Sequence, residues 1–321
     1  MIKNKKVRSA FSLLEVIFVL VILGIVASIG SSILVQVYEA YITQNAVYKV
    51  NAKTELVANQ IVNRLSYAIP GTTISKNPTR NGFVKGVDWI KLKDIPAVDR
   101  NFTTIEWIGY DNDSFSAQAQ PAWSGLANYE DPASTINILT SPGSNFPLVA
   151  TIISNLSNGK INLTQNAPAA ILFHQRDNYY TNSLEYSPAC MGLINENNTS
   201  CIFPVRQGAN NSQLLFTTTA THPVIVPKII TERYKLAWSA YAIIPESVEN
   251  TNGLNDLFLY SNYQPWNNEK YTDGTRTLLM KNVSVLKFTE NGGIIQFKLC
   301  AQENIGGVFP ISTCKEKVVL R

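Results

Sequence analysis

From Val16 to Val37 the chain carries no charged residue. A run of about 20 apolar residues is what a helix needs to cross the hydrocarbon core of a bilayer. After Val37 the apolar residues thin out but keep helical spacing. Val50, Val57, Ile61, Leu65 and Ala68 fall on one stripe, with Lys53, Asn59 and Asn63 between them. No Pro precedes Pro70, and no Gly lies between Gly30 and Gly71, so Pro70-Gly71 is the first strong stop. The pattern predicts one helix from about Phe11 to about Ala68, on the order of 85 Å long at 1.5 Å per residue. Its first half is oily all round. Its second half is amphipathic and needs a globular partner along one side.

Beyond Pro70 the pattern shifts to strands and loops. "NFTTIEWIGY" (101–110) alternates, with Thr103, Ile105 and Trp107 on one side. Residues 114–147 are rich in Ser, Pro, Gly and Asn and read as loops. "PLVATIISNL" and "GKINLT" read as a hairpin around Asn158-Gly159, and "AAILFH" as a short strand. From 224 to 260, "VIVPKIITERYKLAWSAYAII" and "DLFLYSN" read as strands, with Tyr234, Leu236 and Trp238 alternating. "LLMKNVSVLKF" and "IIQFKLC" flank Asn291-Gly292 and predict a second hairpin, and "KVVL" adds a last strand. One long N-terminal helix followed by antiparallel strands predicts an α+β fold with the helix on one sheet face. The segment from about 71 to 225 reads as a loop-rich insertion or second lobe.

Charge sharpens this picture. Only 16% of the 321 residues are charged, below the roughly 25% of ordinary soluble domains. The formal net charge is +4, and Lys3, Lys5, Lys6 and Arg8 account for all of it, because the remaining 23 basic residues balance 23 acidic ones. Basic residues ahead of an apolar span leave the N-terminus in the cytoplasm. The run is too long for a secretory signal core, and no clear small-x-small cleavage site ends it. Nothing in the sequence predicts nucleic-acid binding, since no basic run with interleaved aromatics follows the first eight residues. Glu15 stands out. A carboxylate in a membrane helix is expensive, so it is a functional candidate by default, and snorkelling to the headgroups is the plainer explanation.

These N-terminal residues resemble a known processing signal. A basic leader, then Ala10-Phe11-Ser12-Leu13-Leu14-Glu15, then an apolar run, is similar to the class III signal of type IV pilins and type II secretion pseudopilins. The family pattern has a small residue, usually Gly, where this chain has Ala10, and Thr where it has Ser12. The resemblance implies cleavage between Ala10 and Phe11 by a prepilin peptidase that then methylates the Phe11 amine. It implies that Glu15 meets the N-terminal amine of a neighbouring subunit. Such a pair sets register, because either charge alone is costly in a low-dielectric bundle. It also implies a pilin-like fold, an inner-membrane assembly platform and ATPase, an outer-membrane secretin, and other pilin or pseudopilin subunits as partners. The resulting expectation is a cleaved leader (1–10), a transmembrane assembly segment (11–37), an amphipathic half-helix (38–69) and a periplasmic head (70–321). The single-pass chain sits in the inner membrane and then in a filament. Its large size and loop-rich head favour a minor subunit. A membrane-anchored binding or adhesin module that never polymerises is the alternative, and an anchored periplasmic enzyme is a third.

Chemistry-bearing motifs are sparse. Cys190, Cys201, Cys300 and Cys314 allow three pairings. Sequence neighbours, Cys190 with Cys201 and Cys300 with Cys314, close short polar loops; buried free thiols are the other reading. The spacings do not suit a zinc ribbon. His174 and His222 are the only histidines, and no nucleophile elbow, P-loop, dinucleotide fingerprint or zincin motif occurs. No cofactor, metal or catalytic residue is therefore expected. Ser284 and Lys287 fit S-x-x-K, but alternation puts them on opposite strand faces. "DNDS" (111–114) resembles the start of a calcium loop without its Gly and distal Glu, and otherwise reads as a turn. Among several N-x-S/T sequences, Asn198 has Glu196 two residues earlier, the extended acceptor pattern of some bacterial glycosylation systems.

Overall fold

The period of the apolar stripe shows where the long helix meets its partner. In the computed structural model Leu13–Ser66 is one unbroken helix, α1. The structure describes residues 12–80, 82–96, 101–117, 119–173, 190–195, 198–218, 227, 230–247, 253–304 and 310–320. No residue of α1 before Val50 is buried. From there Val50, Thr54, Val57, Ala58, Ile61 and Leu65 are buried, the i, i+3, i+4, i+7 pattern of one helical face. The Thr54 hydroxyl, the one polar group on this face, donates to Val50 O at 2.7 Å and so needs no outside partner. The helix ends at Ser66, slightly before Pro70, which lacks the N–H that another turn would require.

The strands and short helices follow in order: β1 (Ile74–Lys76), β2 (Trp89–Lys91), β3 (Thr104–Gly109), α2 (Asn112–Phe115), β4 (Ile138–Thr140), α3 (Phe146–Leu156), β5 (Ala169–Phe173), β6 (Phe203–Gln207), β7 (Gln213–Phe216), β8 (Tyr234–Ala237), β9 (Ser239–Ser247), β10 (Asn255–Tyr263), β11 (Thr275–Asn291), β12 (Ile294–Glu303) and β13 (Ile311–Val319). They form an eight-stranded sheet, β13-β12-β11-β10-β9-β3-β1-β2, and a five-stranded sheet, β4-β7-β6-β5-β8. Every strand pairing in both sheets is antiparallel. This is an α+β, pilin-like architecture.

Three apolar cores separate four layers. The first lies between α1 and one face of the large sheet, where Trp107, Ile243, Leu286 and Leu299 meet Val57, Ile61 and Leu65. The second lies on the opposite face, where Ile108, Ala240 and Ala242 meet Ala170, Leu172 and Met191. The third joins the far face of the small sheet to α3, through Ile171, Phe146 and Val149. Alternation in β9 therefore selects between two cores rather than between core and water. Tyr241 and Ile243 face α1, whereas Ala240 and Ala242 face the small sheet. Doubly buried strands read as near-continuous apolar runs for this reason.

Several expectations change in the folded chain. The hairpin around Asn158-Gly159 does not form, because residues 146–156 are the helix α3. Phe146, Val149 and Ile153 give one buried helical face, and the Asn145 side chain caps it by accepting from Leu148 N at 3.4 Å. Asn158 and Gly159 do take positive φ, 55° and 81°, but they end this helix. Gly159 N donates back to Ser154 O at 2.7 Å. The expected insertion is also narrower. β1, β2 and β3 belong to the large sheet, and β3 is fixed beside β9 through pairs such as Trp107 with Tyr241. The extra layer thus runs from after Gly109 to β8. Residues 114–147 are mostly loops, with β4 and the ends of α2 and α3 inside them. The C-terminal hairpin forms with Asn291 opposite Ile294, so Gly292 and Gly293 are the loop residues, one position later than the Asn-Gly reading. Their φ values of 57° and 82° suit the primed turn that matches strand twist.

Candidate assembly interface

Glu15 sits in the first turn of α1, and its N–H donates to Ser12 O at 3.0 Å. A carboxylate there meets the positive end of the helix dipole. Ala10 and Phe11 lie outside the described residues, as do His174, His222 and Glu196. The apolar window of α1 has no buried residue, and α1 is long and apolar enough to span a membrane once. From Leu13 to Lys49 the helix projects about 55 Å before its first buried residue. The exposed apolar surface does not stop at Val37. Tyr38, Tyr41, Val47 and Tyr48 continue it toward the head, with Tyr48 74% exposed.

The lower half of α1 is held to the head by packing and by charge. Glu55 pairs with Lys315 at 3.3 Å and with Lys317, both on β13. The Lys317 hydrogen bond holds the Glu55 carboxyl below the usual carboxylate range. The Arg64 guanidinium lies 5.7 Å from the centre of the Tyr241 ring, which stacks on Trp107 at 5.7 Å. These contacts fix the lower half of α1 to the head, and the projecting segment continues the same unbroken helix.

The cysteines fall into two pairs at disulfide distance. Cys190 and Cys201, with Cα atoms 5.3 Å apart, clip a segment packed in the second core. Cys300 and Cys314 are direct cross-strand partners in β12 and β13, with Cα atoms 4.0 Å apart.

Among the described residues, the remaining candidates resolve as structural groups. Asp111 caps α2 by accepting from Ser114 N at 3.2 Å, so "DNDS" is a capping turn. Ser284 donates to Cys300 O at 3.3 Å, while Lys287 is exposed. No group of three His, Cys, Asp or Glu side chains is placed to hold a metal among the described residues. A cavity of about 220 Å³ opens beside β1, lined in part by Lys76, Asp88, Glu106, Glu269 and Tyr271. Lys76, Glu106, Glu269 and Asp88 are already engaged. Lys76 Nζ is 2.5 Å from Glu106 Oε2, Lys160 Nζ is 2.8 Å from Glu269 Oε2, and Asp88 Oδ2 accepts from Val84 N at 2.9 Å. Sequence reasoning missed Glu106. Its signal was a single acid inside "TIEWIG", a strand whose six residues are all buried.

The family model described as the prokaryotic N-terminal methylation motif matches residues 5–31. The chain carries the type IV pilin and pseudopilin signature. That signature marks structural subunits that a prepilin peptidase processes and that assemble with other pilin subunits. The apolar helix that carries this motif fits a single-pass membrane anchor. No curated protein and no solved structure matches the chain.

Proposed function

We propose that this chain is a non-enzymatic minor pilin or pseudopilin, a subunit of a type IV pilus or a type II secretion filament. Prepilin peptidase cuts between Ala10 and Phe11 and methylates the new amine. The head lies in the periplasm, with α1 first in the inner membrane and then in a filament core. Glu15 pairs there with a neighbour's Phe11 amine. An inner-membrane platform and ATPase drive assembly toward an outer-membrane secretin.

One observation supports polymerisation over simple anchoring. A bilayer core of about 30 Å accommodates about 20 helical residues. The exposed apolar surface of α1 runs on past that span, through Tyr38 and Tyr41 to Tyr48. Surrounding helices cover that surface in a filament; a lone anchor leaves it in water. The extra layer between Gly109 and β8 enlarges the head, which suits a low-copy subunit more than a repeating shaft. Mass analysis of the mature protein tests the reading. The expected N-terminus is Phe11 with one added methyl group. An intact Met1, or cleavage inside the apolar run, overturns it.

A further inference from the structure

Eight positions read N-x-S/T without an intervening Pro: Asn101, Asn112, Asn155, Asn162, Asn197, Asn198, Asn210 and Asn282. Such a sequence is an acceptor only on an accessible surface. Asn112 and Asn155 lie inside α2 and α3, and Asn282 lies within β11. Only Asn101 and Asn198 have an acid two residues earlier, Asp99 and Glu196. Asn101 leads within three residues into β3, the fully buried strand of the large sheet. Asn198 is different. Its side chain is exposed, on the segment clipped by Cys190 and Cys201.

The local geometry presents the Asn198 amide. Its main-chain N–H donates to Asn195 O at 2.9 Å, and its carbonyl accepts from Gly192 N at 2.9 Å. Thr199, next in the chain, is 2% exposed and anchors the turn. The Ser200 hydroxyl donates to Asn198 Oδ1 at 3.0 Å. The acceptor hydroxyl thus already engages the amide oxygen, and the nitrogen, the atom that bonds to sugar, takes no part in that hydrogen bond.

From these features we infer that Asn198 is an N-glycosylation site. The co-reactant is a lipid-diphosphate-linked oligosaccharide, used by a transferase that reads the acid two residues before the acceptor. The Asn198 Nδ2–C1 bond forms as the sugar C1–O bond to the lipid diphosphate breaks. The amide gives one proton to a base, and the lipid diphosphate leaves. No electrons are exchanged. A neutral glycan suits a head whose acidic and basic residues nearly balance, because glycans add solvation without charge.

This inference rests on the outward orientation of the head proposed above. The test is peptide mass mapping of the full chain purified from its native membranes, with thiol alkylation of the same sample. The 177–206 peptide is expected to carry a glycan mass. Asn198→Gln, Glu196→Gln and Ser200→Ala should each remove it, whereas Asn197→Gln and Ser200→Thr should keep it. An unmodified Asn198 with Cys190 and Cys201 oxidised overturns the acceptor site and leaves the orientation standing. An unmodified Asn198 with both thiols free overturns the two together. A glycan retained in Asn198→Gln and lost in Asn197→Gln moves the site to Asn197 and overturns the assignment.

Discussion

The Tyr263 hydroxyl donates to Glu106 Oε1 at 2.7 Å, inside the large sheet. Glu106 is 2% exposed, and Lys76 holds its other oxygen. Burial, and then the Glu106 charge, raises the Tyr263 hydroxyl well above its usual range, so it remains a donor at every physiological pH. A buried carboxylate that loses a donor bears its own desolvation penalty. Tyr263→Phe should therefore cost about 1–3 kcal/mol of stability. Urea unfolding of the detergent-solubilised chain checks this, with N-terminal processing as the control that should not change.

A second buried acid gives the protein a pH dependence of defined sign. Burial pushes Asp111 up from 3.8 to about 7, against the Ser114 N–H that favours its charged form. A group whose folded pKa is raised stabilises fully below its unfolded value, and that contribution is lost as pH rises through the folded value. This contribution should fall between about pH 4 and pH 7, by about 4 kcal/mol at most at 1.36 kcal/mol per pH unit. Asp111→Asn keeps an acceptor for Ser114 N and removes the titration. Urea midpoints from pH 4 to 8 should be flatter in the variant, which should be the more stable protein at pH 8. Equal slopes in the two proteins would contradict this account.

The cysteine pairs predict a thiol count. If the head lies outside the cytoplasm, as proposed, purified protein should show no reactive thiol without reductant. Peptide mapping should link Cys190 to Cys201 and Cys300 to Cys314. Opening either short loop should cost about 3 kcal/mol. Four reactive thiols in folded protein would remove both the pairing and the compartment argument.

The proposed cleavage after Ala10 calls for a small side chain at that position. Ala10→Leu should leave the leader attached, visible as an unshifted mass on gels and spectra. Membrane levels should stay near wild type, because the apolar span is untouched, while assembly fails.

The Glu15 carboxylate tests the assembly mechanism. Glu15→Ala should insert, be cleaved and fold normally, since Glu15 lies far from the three cores. Incorporation should fail, because the neighbour's amine would be buried without a partner, a loss of about 3–5 kcal/mol. Snorkelling predicts no effect on assembly. Co-purification with sheared filaments at matched membrane levels separates the two, and wild-type incorporation would remove this role for Glu15.

Local spacing alone determined α1, its switch from oily to amphipathic, and its end before Pro70. The C-terminal hairpin was legible for the same reason: its apolar residues and turn glycines are neighbours in the chain. The N-terminal methylation motif over residues 5–31 was readable because such a signal is recognised as linear sequence. Tertiary structure decided what local signals left ambiguous. The run 146–156 is as apolar as a strand, and it became α3 because Asn145 caps it and Phe146, Val149 and Ile153 share a helical face in the third core. β9 hid its alternation because both of its faces are buried. Glu106 is satisfied by Lys76 and by Tyr263, the latter far along the chain. Such contacts depend on which distant surfaces the chain brings together, and spacing along the chain does not encode them.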